Sequence, residues 1–152
     1  MSTFTIPVFV VNAAIVALAV MFHYEVMVWL SVTLGRLRIH ARFRLAIGIV
    51  GALLAHVIET WIFAVAYFLL IKAGHFGAFT EPLNPTLMDC AYFSIVTYSS
   101  LGYGDMVPVG EIRFLAGMEA LTGLVLIAMS ASFMYFELRR DWTNTEINKE
   151  EK

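Results

Sequence analysis

Residues 99–105 read Ser-Ser-Leu-Gly-Tyr-Gly-Asp, and the main chain of this segment offers more chemistry than its side chains. Two glycines that flank a tyrosine permit backbone conformations that a side chain would hinder, so successive carbonyl oxygens can face the same way. A ring of such oxygens can replace the water around a monovalent cation, and Asp105 adds negative charge at one end of the row. Because one chain supplies only part of a ring, the segment predicts several copies around an axis.

The composition of the chain indicates a membrane protein. Hydrophobic residues make up 60% and charged residues 14% of the 152 residues, which departs from the usual composition of water-soluble domains. The net charge of -2 gives no reason to expect a nucleic-acid partner. The one cysteine, Cys90, cannot form a disulfide within the chain. We therefore expect a multi-pass protein of the cell membrane.

Three apolar stretches are long enough to cross a bilayer, at residues 6–30, 45–71 and 112–137. The first would form a helix of about 37 Å, which exceeds the hydrocarbon core of about 30 Å. It is also longer than the apolar part of a secretory leader and lacks a basic start, so we expect an uncleaved extra span within residues 1–34. The predicted fold class is an all-α membrane protein with three transmembrane helices.

A shorter segment lies between the second and third stretches and cannot span a membrane. Residues 86–98 would form a helix of about 20 Å, preceded by two prolines and by Thr86 as the expected N-cap. In this interpretation the helix enters the membrane from one side, and residues 99–105 return the chain to the same side. Irregular backbone at membrane depth needs protein or water around it, so the segment predicts a water-filled passage.

The distribution of basic residues predicts the orientation of the chain. Two of the ten lysines and arginines, Lys72 and Arg113, lie in the short loops on one side. The other eight lie in the linker at residues 35–44 and the tail at 138–152: Arg36, Arg38, Arg42, Arg44, Arg139, Arg140, Lys149 and Lys152. The positive-inside rule then puts the linker and the C-terminus in the cytoplasm and the N-terminus outside. The four arginines of the linker are also predicted to contact anionic lipid.

Residues 45–137 resemble the pore module of the potassium channel family, with an outer helix (45–71), pore helix (86–98), filter (99–105) and inner helix (112–137). The Gly-Tyr-Gly-Asp string follows a helix of pore-helix length and precedes a span, a context that a stray match would lack. The resemblance implies a homotetramer that conducts K+ passively, with no cofactor and no enzymatic activity. It also implies that Asp105 lies at the outer mouth and that the ion is bound by Ser100, Leu101, Gly102, Tyr103 and Gly104.

The same resemblance implies roles along the third span. Phe133 or Phe136 would form an apolar gate, and Gly123 would be a bending point. A second interpretation of Gly123, as a glycine that only allows close helix packing, stays open. The residues implied to line the cavity below the filter are Val125, Ala128, Ser132 and Phe136.

Departures from the family pattern keep other functions open. Ser100 and Leu101 stand where Thr and Val are usual, and Val96 stands where some members carry a glutamate, which favours a weakly selective monovalent cation channel as the alternative. A membrane protein that binds a metal or haem is a more distant alternative, which the His56-x-x-Glu59 spacing supports weakly. A non-conducting accessory subunit is a third.

Ionisable residues within apolar spans suggest function by default. His56 and Glu59 lie in the middle of the second span, and Glu119 lies in the third. We expect these three to form a buried polar cluster that joins the outer and inner helices, either as packing alone or as a proton sensor through the histidine. His23 and Glu25, near the end of the first span, are expected to reach the membrane interface instead.

Overall fold

The computed structural model describes residues 5–37 and 39–150, with side chains for 8–37 and 39–140. Three of its helices are apolar enough to cross a membrane, over Val8–Arg36, Ala41–Lys72 and Ile112–Arg140. The predicted class of all-α membrane protein is therefore confirmed. The elements in chain order are α1 (Thr5–Arg36), α2 (Ala41–Lys72), β1 (Gly77–Phe79), α3 (Leu87–Tyr98), β2 (Pro108–Gly110) and α4 (Ile112–Glu150).

The connection between α1 and α2 is shorter than the predicted linker. Helix α1 continues to Arg36 and α2 begins at Ala41, so Arg42 and Arg44 belong to the first turn of α2. Arginine is a good helix former. The positive charge of Arg36, in the last turn of α1, also interacts favourably with the partial negative charge at the C-terminal end of that helix. Arg38, the fourth arginine of the predicted lipid site, lies outside the described residues.

Helix α4 runs well past the predicted end of the inner helix at residue 137. It continues to Glu150, although the apolar run of its sequence ends at Phe136, before Glu137, Arg139 and Arg140. Residues 138–150 contain no glycine or proline that would end a helix, so the backbone stays helical after the sequence becomes polar. The end of the apolar span and the end of the helix are thus two different positions.

Helix α2 is the central element, because α1, α3 and α4 each pack more extensively against it than against one another. Two glycines set the spacing between α2 and its neighbours. A Cβ built on Gly51 would lie 2.8 Å from a methyl carbon of Leu30 in α1, and one on Gly48 would lie 2.9 Å from the sulfur of Met134 in α4. Glycine at these two positions lets the three helices approach closely.

Strands β1 and β2 form a small antiparallel pair that the sequence did not indicate, since three residues are too few to show an alternating pattern. Gly77 pairs with Gly110, and Phe79 pairs with Pro108. A Cβ on Gly77 would lie 2.0 Å from the carbonyl oxygen of Val109, so a side chain does not fit there. The pair joins the chain that enters α3 to the chain that leaves the filter.

Candidate functional site

Helix α3 begins with a reciprocal cap at Thr86, the residue that the sequence predicted as its N-cap. The Asp89 main-chain N–H donates to the Thr86 hydroxyl oxygen at 3.2 Å, and the Thr86 main-chain N–H donates to a carboxylate oxygen of Asp89 at 2.7 Å. The second bond is the main reason that the pKa of Asp89 is lowered from its usual value. The cap satisfies donors that the first turn would otherwise leave unpaired, and it fixes where the helix starts.

The chain after α3 turns back and binds the end of that helix. The carbonyl oxygen of Val96 accepts hydrogen bonds from the main-chain N–H of Leu101 at 2.9 Å and from that of Gly102 at 3.2 Å. In a trans peptide the N–H and the C=O point in opposite directions. The carbonyl oxygens of Ser100 and Leu101 therefore face away from α3, toward the open side of the segment.

The sign of φ alternates along the same segment. Ser100, Gly102 and Gly104 have φ angles of 58°, 52° and 77°, and among the described non-glycine residues Ser100 alone has a positive φ. Alternation between left- and right-handed residues is a pattern that brings successive N–H groups to one side of a chain and the carbonyl groups to the other. The strained φ of Ser100 costs about 1–3 kcal/mol, and such strain concentrates at functional sites.

The last residue of the segment, Asp105, is held by the side of α3. The Tyr92 hydroxyl donates to a carboxylate oxygen of Asp105 at 2.8 Å. This bond is the main cause of a raised pKa for Tyr92. Leu101 and Tyr103 are 56% and 68% exposed in the single chain, so the outer surface of the segment is available to a neighbouring molecule.

Behind the segment, three helices supply hydrogen-bond donors to one fully buried carboxylate, Glu59. The Nδ1–H groups of His23 and His56 donate to its two oxygens at 2.8 and 2.9 Å, and the Tyr98 hydroxyl donates to it as well. The predicted pairing of His56 with Glu59 is thus present. His23 is fully buried, so the expectation that it reaches the interface is wrong. Its burial was not predictable, because an isolated histidine in an apolar span has no partner in its own helix.

Glu119 lies in a second buried cluster rather than beside His56. The Tyr67 hydroxyl donates to one of its oxygens at 2.6 Å. The Ser94 hydroxyl lies 2.5 Å from the other oxygen and 2.7 Å from the main-chain oxygen of Thr60. This cluster joins α2, α3 and α4, whereas the Glu59 cluster joins α1, α2 and α3.

The four residues predicted to line the cavity share one exposed face of α4. In the single chain that face is not covered by the other described helices: it carries Val125, Ala128, Ser132 and Phe136. Phe133, the other predicted gate residue, is partly buried and packs on the cluster that contains Leu30 and Leu34 of α1. The lining and gating roles of these residues stay predictions.

Gly123 marks the closest approach between α4 and the end of α3. A Cβ built there would lie 2.2 Å from the main-chain oxygen of Tyr98 and 2.9 Å from its Cγ. The interpretation of Gly123 as a packing glycine gains direct support from this contact. Its role as a bending point stays a prediction.

The donor atoms of His23, His56 and Glu59 lie within 4.8 Å of one another, close enough to be considered as a metal site. Ligands at about 2.0 Å around a tetrahedral zinc ion are about 3.3 Å apart. The nitrogen–oxygen separations here, 2.8 and 2.9 Å, are hydrogen-bond lengths instead. We therefore treat the cluster as a hydrogen-bonded network.

Comparison with known proteins decides the family. A sequence profile described as "Ion channel" matches residues 46–138, which include α3, the filter segment and the apolar part of α4. The chain belongs to the ion channel family. The resemblance to a potassium channel pore module is confirmed, and the matched range excludes α1. No solved structure matches the chain significantly.

Three relatives of this ion channel illustrate the match. The inward rectifier potassium channel Kirbac3.1 of Paramagnetospirillum magnetotacticum is 30% identical over 89 residues, which cover 56% of this chain and 28% of that protein. The voltage-gated potassium channel Kch of Escherichia coli is 34% identical over 86 residues, 53% of this chain and 21% of that protein. Protein LctB of Bacillus caldotenax is 31% identical over 113 residues, 69% of this chain and 84% of that protein. The chain thus covers less than a third of both named potassium channels.

Proposed function

We propose that four copies of this chain form a potassium-selective channel, with a filter built from the main chain of Ser100 to Gly104. One observation carries the proposal: φ is positive at every second residue, and the N–H groups of Leu101 and Gly102 are tied back to Val96, so the carbonyl groups of Ser100 and Leu101 face the open side. Carbonyl groups that face the same way are what rings of ion-coordinating oxygens require. The names of two relatives, both potassium channels, support K+ as the ion.

The charges around the segment favour a cation. The C-terminal end of α3, with its partial negative charge, precedes the filter and stabilises a cation in the cavity below. Four copies of Asp105, each held by Tyr92, raise the local cation concentration at the outer mouth. Several adjacent oxygen rings let ions displace one another, so K+ is bound well enough to lose its water and still leaves. The protein needs no cofactor and no catalytic group for this task.

A tetramer also accounts for surfaces that the single chain leaves open. Leu101 and Tyr103 are exposed, and so is the face of α4 that carries Val125 and Phe136. Cyclic symmetry around the filter axis covers Leu101 and Tyr103 with a neighbouring subunit and turns the α4 face toward the central passage.

The distribution of basic residues supports an orientation with the N-terminus outside and the tail in the cytoplasm. On the cytoplasmic side Arg36, Arg42 and Arg44 contact anionic lipid.

A weakly selective monovalent cation channel is the second candidate. The observation that favours it is the pair Ser100 and Leu101, which replaces the usual Thr and Val at the inner end of the filter. One oxygen ring of altered geometry would relax the preference for K+ over Na+. Reversal potentials in mixed K+ and Na+ solutions distinguish the two candidates.

The test is rubidium uptake into liposomes that contain the purified full-length protein. We expect uptake that excess K+ suppresses and excess Na+ does not. Gly104→Ala places a side chain at a φ of 77°, which costs about 1–2 kcal/mol in each subunit, and should reduce uptake at least about tenfold. Gly117→Ala is the matched control, because a Cβ there meets nothing within 4 Å. Absence of uptake by the unaltered protein would overturn the proposal, and equal competition by Na+ would favour the second candidate.

A further inference from the structure

Helix α1 lies outside the matched ion channel module, yet it contributes a buried histidine to the region directly behind the filter. His23 is completely buried and donates to Glu59 of α2. Glu59 in turn accepts a hydrogen bond from Tyr98, the last residue of α3. A continuous chain of hydrogen bonds therefore runs from α1 to the residue that precedes the filter segment.

We propose that His23 is a positioning residue for the filter, and that α1, through His23, fixes the position of the filter segment. The Nδ1–H of His23 fixes one carboxylate oxygen of Glu59, and the other oxygen holds the Tyr98 hydroxyl. The filter segment begins at Ser99, one residue further along the chain. This role rests on the proposed potassium channel function, since it concerns how well the same filter selects its ion.

The buried carboxylate explains why these contacts are specific. A carboxylate within a membrane span is stable only when donors surround it, because no water is present to take their place. Glu59 has three donors, from His23, His56 and Tyr98, on three different helices. Loss of one donor leaves a buried lone pair unpaired and releases the carboxylate to shift toward the remaining two.

The position of His23 itself is closely defined. Its ring stacks on that of His56, with centroids 5.3 Å apart and an interplanar angle of 25°. Its Nε2 atom lies 3.4 Å from the Ser130 hydroxyl of α4. The imidazole therefore has a fixed direction toward Glu59, which a positioning role requires.

Tyr98 is held by both its main chain and its side chain. Its main-chain oxygen lies against Gly123 of α4, and its hydroxyl donates to Glu59 and lies 3.0 Å from Nδ1 of His56. Two residues earlier, Val96 accepts the hydrogen bonds that orient Leu101 and Gly102. A shift of Tyr98 therefore changes the geometry of the first carbonyl rings, on which discrimination between K+ and Na+ depends.

The experiment measures the K+ to Na+ permeability ratio from reversal potentials of the full-length protein in bilayers. His23→Leu keeps the bulk and removes the donor, and we expect the ratio to fall by about threefold or more. His23→Asn places an amide N–H near the position of Nδ1, so it should restore the ratio to within about twofold of the original. Tyr24→Leu is the control on the same helix, because Tyr24 is 60% exposed and should leave the ratio unchanged.

A second variant tests the other end of the chain of hydrogen bonds. Tyr98→Phe removes only the hydroxyl and should lower the ratio in the same direction, and the double variant with His23→Leu should fall no further. An unselective unaltered protein would overturn the proposed function itself. A selective protein whose ratio survives Tyr98→Phe, or whose His23→Leu variant loses current without a change in the ratio, would overturn the positioning role alone.

Discussion

Gly123→Ala tests the contact between α4 and the end of α3 with a single added methyl group. The new Cβ would lie 2.2 Å from the main-chain oxygen of Tyr98, 2.9 Å from its Cγ and 3.0 Å from its carbonyl carbon. An ordinary non-bonded contact is about 3.5 Å, so the two elements must separate by about 1 Å. The nearest atom belongs to the main chain and cannot rotate away.

The expected cost follows from two opposing terms. Overpacking of a close contact costs about 1–3 kcal/mol, and a main-chain contact belongs at the upper end of that range. Alanine gains about 1 kcal/mol over glycine within a helix. The net loss in the free energy of unfolding is therefore about 2 kcal/mol per subunit. Ion flux should also fall, because the displaced atom immediately precedes the filter.

Thermal unfolding of the purified protein and rubidium flux per assembled channel measure the two effects. Gly117→Ala is the control on the same helix, since its Cβ meets nothing within 4 Å and only the gain in helix propensity remains. Equal stability of the Gly123→Ala and Gly117→Ala variants would refute the packing argument. Altered channel opening at unchanged stability would instead identify Gly123 as the bending point.

Three further predictions concern the hydrogen bonds around α3. The Ser94 hydroxyl has one hydrogen but contacts two acceptor oxygens, so a proton on the Glu119 carboxyl group would complete that cluster. Glu119→Gln should therefore keep the unfolding temperature, whereas Glu119→Ala should lower the free energy of unfolding by about 2–4 kcal/mol. A large loss of stability in the Glu119→Gln variant would contradict a neutral carboxyl group. Tyr92→Phe removes the hydrogen bond from the Tyr92 hydroxyl to the Asp105 carboxylate at the outer end of the filter segment. Rubidium flux should then decline faster after K+ is withdrawn. An unchanged decline would show that this hydrogen bond does not hold the outer mouth. The pKa of Asp89 is lowered from 3.8, so its charged carboxylate stabilises the fold above pH 3.8, and this stabilisation is lost as the pH falls through the lowered pKa. The unfolding temperature of the original protein should therefore exceed that of Asp89→Asn at neutral pH, and the difference should disappear in strong acid. A difference that stays constant with pH would contradict the role of the cap.

The membrane architecture was predictable because it depends on local properties of the sequence. Apolar runs of sufficient length specify the spans, and two prolines followed by Thr86 indicate where α3 starts. The end of α4 was missed because helix formation continues where hydrophobicity stops. Most of residues 141–150 are polar, but none of them is a glycine or proline that would break a helix.

The partners behind the filter were only partly predictable. The spacing of His56 and Glu59 puts both on one helix face, which indicates their contact. No spacing connects Glu59 to His23 on another helix or to Tyr98 at the end of α3, since such contacts depend on how the helices pack. Glu119 was assigned to the wrong neighbours for the same reason: its depth in the span suggests burial but gives no direction.

The small β-pair has a practical consequence for exchange of pore segments between channels. Gly77 and Gly110 lie side by side, and the main-chain N–H of Ile112 also donates to the carbonyl oxygen of Phe76 at 3.0 Å. The chain from β1 to β2 thus leaves and rejoins the helices at one place, the β1–β2 pair. A transplant cut at these two glycines would carry the pore helix, the filter and their loops together as one cassette, with no change in the separation of its ends.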